Sequence, residues 1–366
     1  MKALCIGGAM IDTIAIVDSE RIERMRMTNA DKDFLLIEEG RKVEAHEIST
    51  HVGGGAVNAA VAMARQGLDV SVLVKLGRDA RAETVYKVLM EEGVSTRWVV
   101  RDGRAPTGAS VMLSSHDRNA AIFTFRGANT LLQEADLKAE AFAIDLVYVS
   151  SLSNESADAF PAIMAQAKQA GAMVATNPGI RQLASRGGAL QEHLKDIDIL
   201  AINATEAGAM VPALVARFGE GRAGLRQETG AQTPRLVQLG FTSGTHDMSF
   251  ASFFAAMREL GTRYTVVTDG RHGAYVGSAE AIFHCPSLEA RVAGTAGAGD
   301  AFNSTFAAQI ASGAAPGDAL RAGIINASSV VGYIDTQSGL LKADELARRR
   351  TEAASRLPIL EWRQAA

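Results

Sequence analysis

The stretch Gly294-Thr295-Ala296-Gly297-Ala298-Gly299-Asp300-Ala301-Phe302 sets a glycine-rich turn directly against a carboxylate. After it, Phe302, Phe306 and Ile310 repeat on one helical face and Gly313 follows as a cap, so the spacing predicts a helix over 300–312. The turn leaves backbone N–H groups pointing out of the helix N-terminus, where the helix dipole adds positive character. The segment therefore predicts an anion cradle.

The carboxylate beside this cradle points to a chemical step rather than to tight phosphate binding. Asp300 would take the proton of a hydroxyl that attacks a phosphoryl group, while the amides hold the developing charge. The structural alternative is an ordinary turn in which Asp300 caps the helix, and this motif alone does not decide between the two. Phosphoryl transfer is the first interpretation.

A second glycine cluster, Gly53-Gly54-Gly55-Ala56-Val57-Asn58, opens an apolar run over 59–64. Glycines let a backbone approach a ligand closely, and Asn58 offers a donor and an acceptor together. Tight packing of a helix under a sheet is the alternative. As a pair and in this order, the two clusters resemble the signatures of the ribokinase/PfkB family of carbohydrate kinases, Gly-Gly-x-x-x-Asn and Thr-x-Gly-Ala-Gly-Asp.

The resemblance covers most of residues 3–340, because further family-like segments occur in the expected order. They are Gly7 to Asp12, Gly77 to Asp79, Pro106 to Gly108, Arg126 to Asn129, the Asn-x-x-Glu motif of Asn203 and Glu206, and the Thr-x-Gly-x-x-Gly motif of Thr268, Gly270 and Gly273.

Alternating strand and helix patterns predict an α/β protein with a mostly parallel sheet covered on both faces. The strands are expected at 2–6, 70–76, 146–150, 172–176, 198–202 and 264–268, and the helices at 56–66, 80–92, 156–170, 300–312 and 317–332. Residues 108–114 and 120–126 alternate around 115–119 and predict a β-hairpin. The resemblance implies a ribokinase-like three-layer αβα sandwich with a small β lid.

The resemblance also implies the organisation of the chain. One kinase domain is expected over 1–342, its lid formed by 11–17, 34–50 and 105–127, and a C-terminal helix and tail over 343–366. Residues 212–247 exceed the family's usual length and look like an insertion. A solvated surface excursion is the favoured interpretation of it, with an oligomer contact or an edge of the nucleotide pocket as the alternative.

Site roles follow from the resemblance. Asp300 matches the catalytic base, and the N–H groups of Gly297, Ala298 and Gly299 would form the anion hole for the γ-phosphoryl group. The acceptor-binding residues would be Asp12, Gly53, Gly54 and Asn58, with Asn129 closing the site from the lid.

The nucleotide-binding residues implied by the resemblance are Asn203, Glu206, Thr268, Gly270, Gly273 and Asn326. Glu206 would hold Mg²⁺ through water beside ATP. The alternative for Asn203 and Glu206 is a helix capping box without a metal. Many family members carry Asp where this chain has Gly294, so the sequence argues against activation by a monovalent cation.

The function that the resemblance implies is ATP-dependent transfer of a phosphoryl group to a hydroxyl of a small sugar. A nucleoside kinase of the same family is the first alternative, and a non-catalytic sugar or nucleotide sensor is the second. The sensor is disfavoured because pure binding does not require the base Asp300.

Composition agrees with this class. The chain has 366 residues and a net charge of −4 without a basic run that suits nucleic acid, and it lacks an apolar stretch that could span a membrane. Its two cysteines, Cys5 and Cys285, are far apart and indicate a reducing compartment, so we expect a cytoplasmic protein, in the form of a monomer or a homodimer.

Overall fold

The computed structural model describes residues 1–18, 23–26, 33–36, 39–40, 42–115, 120–221, 225–227 and 233–364. Residues 116–119 of the predicted hairpin loop, parts of the predicted lid segment 34–50 and parts of the predicted insertion 212–247 lie outside the described residues.

Nineteen strands occur in the described part of the chain. In chain order they are β1 (Lys2–Gly7), β2 (Met10–Val17), β3 (Glu23–Arg26), β4 (Asp33–Leu36), β5 (Glu47–Gly53), β6 (Asp69–Leu76), β7 (Val100–Arg101), β8 (Gly108–Ser115), β9 (Ala120–Phe125), β10 (Leu146–Val149), β11 (Met173–Thr176), β12 (Ile199–Asn203), β13 (Leu225–Gln227), β14 (Phe241–Ser243), β15 (His246–Met248), β16 (Tyr264–Thr268), β17 (Ala274–Gly277), β18 (Ala281–Cys285) and β19 (Leu360–Gln364).

Ten α-helices accompany these strands within the same described ranges. They are α1 (Gly55–Arg65), α2 (Ala80–Glu91), α3 (Phe160–Ala170), α4 (Ile180–Glu192), α5 (Ala204–Phe218), α6 (Arg235–Leu239), α7 (Phe250–Glu259), α8 (Ala298–Ala311), α9 (Pro316–Val330) and α10 (Ala343–Ala353). The predicted helix at 156–170 begins instead as a 3-10 helix, Asn154–Ala159, before α3.

The central sheet has the order β13-β19-β18-β17-β16-β12-β11-β10-β1-β6-β7. All neighbours from β16 to β7 are parallel, whereas those from β16 to β13 are antiparallel. Successive side chains of a strand point to opposite faces. Ala3 and Cys5 accordingly join one hydrophobic cluster with α1, α8 and α9, while Leu4 and Ile6 join a second with α3, α5 and α7. The predicted three-layer sandwich is confirmed.

A second sheet of order β5-β2-β8-β9 lies beside the first and matches the expected lid. Segments 11–17 and 105–127 contribute β2, β8 and β9 as predicted. Of segment 34–50, only the end belongs to this sheet, in β5, because residues 34–36 pair with β3 instead.

The segment 343–366, expected as a C-terminal helix and tail, contributes a strand as well as a helix. Helix α10 is present, but the residues after it form β19, which pairs with β18 inside the central sheet. Trp362 is only 1% exposed there and packs in the second hydrophobic cluster. The burial of this side chain packs the residues after α10 against the central sheet.

Candidate active site

The glycine turn ahead of α8 has the geometry that the sequence predicts. Gly297 caps the helix with φ 78°, a left-handed conformation that favours glycine. A Cβ on Gly297 would lie 2.7 Å from Cβ of Thr336, so space as well as conformation requires glycine there. Asp300 follows in the first turn of the helix, where its charge suits the dipole.

Asn58 holds the carboxylate of Asp300. Its Nδ2 donates to Oδ2 of Asp300 over 2.8 Å. Its Oδ1 accepts from Oγ1 of Thr336 over 2.9 Å and from Nε2 of Gln337 over 3.1 Å. The two donors fix the direction of the amide, so that its NH₂ group must face Asp300. Asn58 is only 2% exposed, and in this arrangement it positions the carboxylate of Asp300.

Burial raises the pKa of Asp300, the hydrogen bond from Asn58 opposes this shift, and the charge of Asp12 adds to it. A carboxylate with a raised pKa accepts a proton more readily near neutral pH. The environment of Asp300 therefore suits a general base.

Asp12 lies in the middle of the lid sheet. It is opposite His51 of β5 on one side and opposite Ser110 of β8 on the other. Oγ of Ser110 donates to Oδ1 of Asp12 over 2.5 Å. Burial raises the pKa of Asp12, while the hydrogen bond from Ser110 and the charge of His51 lower it.

A cavity of about 170 Å³ separates this part of the lid sheet from the loops around the glycine turn. We call it the acceptor cleft; it is lined by Met10, Asp12, Ile14, His51, Ser110, Met112, Ile122, Thr124, Ala296, Ile334, Asp335 and Thr336. Among the described residues that line it are two carboxylates and no lysine or arginine.

The first glycine cluster brings the start of α1 against the lid strand and the base. A Cβ on Gly53 would lie 2.0 Å from Oδ2 of Asp12. Gly54 has φ 99°, and a Cβ there would lie 2.5 Å from the carbonyl oxygen of Gly8. The amide of Ala56 donates to that same oxygen over 3.1 Å. A side-chain carboxylate thus leaves no room for a Cβ at Gly53, and close approach of the backbone together with a positive φ favours glycine at 54.

Asn129 does not face the acceptor cleft. Its Oδ1 accepts from the amide of Ala9 over 2.9 Å and its Nδ2 donates to the carbonyl of Ala9 over 2.8 Å. The side chain therefore holds the turn that leads into β2, and its expected role in closing the site over the acceptor stays a prediction.

A larger cleft of about 1110 Å³ lies on the other side of the glycine turn. It brings Thr268, Gly270 and Gly273 together with Ala298 and Gly299. We call it the nucleotide cleft. Its remaining walls come from the loop at 287–292 and from α9.

Asn326 does not reach the nucleotide cleft, although its neighbour Ala327 lines it. It is fully buried, donates from Nδ2 to Oγ1 of Thr305 over 2.7 Å and accepts at Oδ1 from the amide of Leu341 over 2.9 Å. The role of Asn326 in ATP binding stays a prediction, and in this structure its helix turns the side chain towards α8.

Asn203 and Glu206 form the capping box that the sequence left as an alternative. The side chain of each accepts from the backbone amide of the other over 2.9 Å. Burial raises the pKa of Glu206, and the backbone N–H groups of Asn203 and Ile180 oppose that shift. Asn203 is opposite Thr268 across β12 and β16, so the box lies at the strand ends beside the nucleotide cleft.

Four side chains of the site escaped the sequence analysis: His51, Ser110, Thr336 and Gln337. His51 and Ser110 pair directly with Asp12 in the two strands that flank it. Aligning the lid strands in the sequence could therefore have identified both residues. Thr336 and Gln337 carry no comparable signal, because 278 and 279 residues separate them from Asn58.

Two further observations concern the described residues as a whole. Among the described residues, no three or more His, Cys, Asp or Glu side chains gather so that they could hold a metal ion. In the same ranges, no helix has both the length and the apolar character needed to cross a membrane.

Comparisons with known proteins agree with this geometry. The sequence profile of the pfkB family carbohydrate kinases matches residues 2–343. The chain is 24% identical over 301 residues to the bifunctional ribokinase/ribose-5-phosphate isomerase A of Fructilactobacillus sanfranciscensis, covering 81% of the chain and 48% of that protein. The chain thus spans about half the length of that relative. It is 25% identical over 299 residues to the deoxyribokinase of Salmonella typhi, covering 80% of the chain and 84% of that protein.

Among solved structures, the E. coli protein designated ribokinase II, in complex with ATP and Mg²⁺, superposes with a TM-score of 0.73 and 16% identity, covering 96% of this chain and 99% of that one. That likeness supports the fold. The profile match spans nearly the whole chain. The chain therefore belongs to the pfkB family of carbohydrate kinases and is an ATP-dependent kinase.

Proposed function

We propose that this protein transfers the γ-phosphoryl group of ATP to a hydroxyl of a small, uncharged sugar. The observation that carries the proposal is the position of Asp300 between two clefts. Ala298 and Gly299, on one side of it, line the nucleotide cleft, and Ala296, ahead of it, lines the acceptor cleft. One turn of chain therefore faces both substrates.

In the proposed reaction, the acceptor hydroxyl attacks the γ-phosphorus and its proton passes to Asp300. The bond between the γ-phosphorus and the bridging oxygen breaks, and ADP leaves with the electron pair. The N–H groups of Gly297, Ala298 and Gly299 stabilise the charge on the transferred group. Asn58 keeps the carboxylate of Asp300 facing the acceptor. Positioning supplies much of the rate enhancement in such a step.

The cofactor in this proposal is Mg²⁺, which would neutralise the charge of the ATP phosphates. Mg²⁺ keeps several waters and usually takes only one or two carboxylates together with substrate phosphates. The lack of a three-ligand cluster among the described residues is compatible with that mode. We assign Glu206 as its ligand through water, because the capping box with Asn203 lies beside Thr268 of the nucleotide cleft.

The acceptor cleft favours a small sugar over a nucleoside. Its volume of about 170 Å³ is below the range of roughly 300–1,000 Å³ that is usual for drug-sized ligands. Its described lining has two carboxylates and no lysine or arginine, which disfavours a phosphorylated sugar, since like charges repel. The homodimer and the cytoplasmic location stay predictions.

An acceptor panel tests the proposed function. We expect purified protein with ATP and Mg²⁺ to release ADP with at least one neutral pentose or hexose, and more slowly with nucleosides and sugar phosphates. Preferential turnover of nucleosides would favour the alternative within the family. Binding of a sugar without turnover in the presence of ATP and Mg²⁺ would favour the sensor.

The role of Asp12 is tested by Asp12→Ala. The variant loses hydrogen bonds from a charged group to acceptor hydroxyls, worth about 1.5–3 kcal/mol, so the KM for the sugar should rise roughly 10- to 150-fold. The KM for ATP should stay within about twofold, as it should for Met112→Leu, a matched change in the same cleft. Equal weakening of both substrates would contradict the assignment and indicate a folding defect.

A further inference from the structure

His51 lies in the wall of the acceptor cleft and carries a ring nitrogen without a hydrogen-bond partner in the described part of the chain. Its Nε2 is buried and, among the described residues, makes no hydrogen bond. The side chain lines the cleft together with Asp12, Ser110 and Asp335. Burying a polar atom without a partner is unfavourable, so native structures rarely keep one unless something else completes the bond.

The lid sheet fixes the position of this ring. His51 lies opposite Asp12 in the ladder between β5 and β2, and the residues around it in β5 keep the same register from Glu47 to Gly53. The ring therefore points to the same face of the sheet as Asp12, since directly paired residues share a face. That face is the wall of the acceptor cleft.

Two carboxylates near His51 already have partners of their own. Oδ1 of Asp12 accepts from Ser110, and Oδ1 of Asp335 accepts from the amides of Gln337 and Ser338 over 2.8 Å and 2.7 Å. Burial works against ionisation of Asp335, but the backbone N–H groups of Ser338 and Gln337 outweigh it and lower its pKa.

The chemistry of the cleft decides what would satisfy Nε2. An anionic group would meet Asp12 and Asp335, with no lysine or arginine among the lining residues to offset them. A hydroxyl is neutral and can donate to a bare ring nitrogen or accept from a protonated one. A polyol therefore fits this nitrogen and the carboxylates beside it at once.

We propose that Nε2 of His51 hydrogen-bonds a hydroxyl of the acceptor sugar, other than the one that is phosphorylated, and that it sets selectivity against analogues lacking that hydroxyl. The inference rests on the proposed function and names a specificity residue within it. The reacting hydroxyl would instead face Asp300, which follows the turn that lines the cleft at Ala296, away from the lid sheet. A site built to bond a hydroxyl discriminates strongly against its absence, because the buried partner is then left unpaired.

The test compares His51→Leu, His51→Gln and the control His246→Leu, which makes the same substitution in β15, at a residue that lines neither cleft. Each is assayed with the preferred sugar and with its monodeoxy analogues, and sugar binding is measured separately by thermal shift without ATP. For His51→Leu we expect kcat/KM for the preferred sugar to fall roughly 10- to 100-fold, mostly through KM.

The diagnostic readout is the ratio between the sugar and one monodeoxy analogue. This ratio should fall towards one in His51→Leu, recover in part in His51→Gln, whose amide can bond a hydroxyl, and stay unchanged in His246→Leu. If leucine is not tolerated, His51→Phe removes the nitrogen while keeping a ring, and the same fall is expected.

Wild-type ratios for every monodeoxy analogue in a folded His51→Leu or His51→Phe variant would overturn the inference and leave the proposed function standing. A wild-type protein that neither binds nor phosphorylates any neutral sugar would overturn the proposed function itself, and the role of His51 with it. The binding arm separates these two failures.

Discussion

Asp12 lines the acceptor cleft and Asp300 follows the glycine turn beside it, and burial raises the pKa of both carboxyl groups. The charge of Asp12 adds to the shift of Asp300, so the ionised base is electrostatically unfavourable in the folded chain. This electrostatic cost favours the proposed reaction, because a carboxylate whose ionised form is unfavourable accepts a proton readily. Function and stability therefore oppose each other at this residue.

Asp300→Asn should separate the two effects. Turnover should fall by about 10²- to 10⁴-fold, the range for loss of a general base, while sugar and ATP binding persist. The protein should melt at a higher temperature at neutral pH. A carboxyl with a raised folded-state pKa contributes its stability below the unfolded pKa and loses it as pH rises through the folded pKa.

The sign of this effect gives a control. The gain in melting temperature of Asp300→Asn should shrink as pH falls towards about 4, where the native carboxyl is protonated as well. Asp318→Asn alters another aspartate in the first turn of a helix and should leave turnover unchanged. Near-normal turnover in Asp300→Asn would contradict the base assignment, whatever the melting curves show.

At the scale of elements, the turn before α8 depends on a contact that the sequence cannot display. The sequence identifies Gly297 from its place before a helical pattern, but not that Thr336 lies against it. Thr336 in turn donates to Asn58, so one residue both shapes the turn and orients the amide that holds the base. Contacts of such separation depend on the finished fold.

Gly297→Ala tests this turn, with Gly299→Ala as the matched variant. Gly297→Ala should destabilise the protein by about 1–2 kcal/mol from its left-handed conformation alone, and further because its Cβ would press on Thr336. Gly299 is not left-handed and a Cβ there would meet nothing within 4 Å, so Gly299→Ala should fold normally. It should still weaken ATP binding, because Gly299 lines the nucleotide cleft.

Denaturant unfolding and ATP titration of both variants provide the measurements. Equal stability of the two alanine variants would contradict the argument from φ and space at Gly297. Unchanged ATP affinity in Gly299→Ala would contradict the assignment of the anion hole.

The elements that the sequence predicted well share a physical reason. The parallel strands β1, β6, β10, β12 and β16 are buried on both faces and read as continuous apolar runs. The antiparallel strands β17, β18 and β19 escaped the analysis because they are short and carry polar residues such as His284 and Arg363. These strands lie towards one edge of the central sheet, and their antiparallel pairing becomes visible only in the folded structure.

The residues of the site likewise divide into those that local sequence motifs identify and those whose partners depend on the fold. The glycine turns, Asp12 and Asp300 stand in local motifs, and the structure brings them together around the acceptor cleft. Asn129 and Asn326 also stand in motif-like segments, yet their amides bind Ala9, Thr305 and Leu341 instead. An asparagine can bond backbone or ligand equally well, so sequence alone cannot assign its partner.

At the scale of the whole molecule, the segment predicted as an insertion over 212–247 reaches the nucleotide side. Arg235, at the start of α6, makes an ion pair with Oδ1 of Asp269 over 2.6 Å. Asp269 is 8% exposed and stands between Thr268 and Gly270 of the nucleotide cleft. A segment far from the acceptor thus supports the turn that would contact ATP.

Arg235→Ala should therefore raise the KM for ATP while leaving the KM for the sugar unchanged. The arginine is half-exposed, so the loss of about 1 kcal/mol in positioning corresponds to roughly a fivefold rise. Arg217→Ala, at the end of α5, removes the same charge without an ion pair to the nucleotide turn and serves as the control. An unchanged KM for ATP, or a rise equal to that in Arg217→Ala, would instead support a solvated surface excursion.

The loop that joins α9 to α10 passes the glycine turn at Gly294, where many family members have an aspartate. The amides of Ala293 and Gly294 both donate to the carbonyl of Val331, over 2.7 Å and 3.2 Å, so this stretch is tied to the end of α9. A singly charged cation held here would meet backbone carbonyls but no carboxylate from residue 294. Without this carboxylate, only neutral carbonyl dipoles would offset the free energy of dehydrating the ion, so we expect weak binding.

Turnover should therefore respond less than about twofold when potassium is replaced by tetramethylammonium at constant ionic strength, which keeps screening of surface charges equal. Gly294→Asp should create a potassium response, because φ at Gly294 is not left-handed, although its Cβ would approach the carbonyl oxygen of Tyr333 to 3.0 Å. Initial rates in both salts, for both proteins, are the measurement. Strong potassium activation of the unmodified protein would mean that the carbonyls suffice, and that Gly294 does not govern cation dependence.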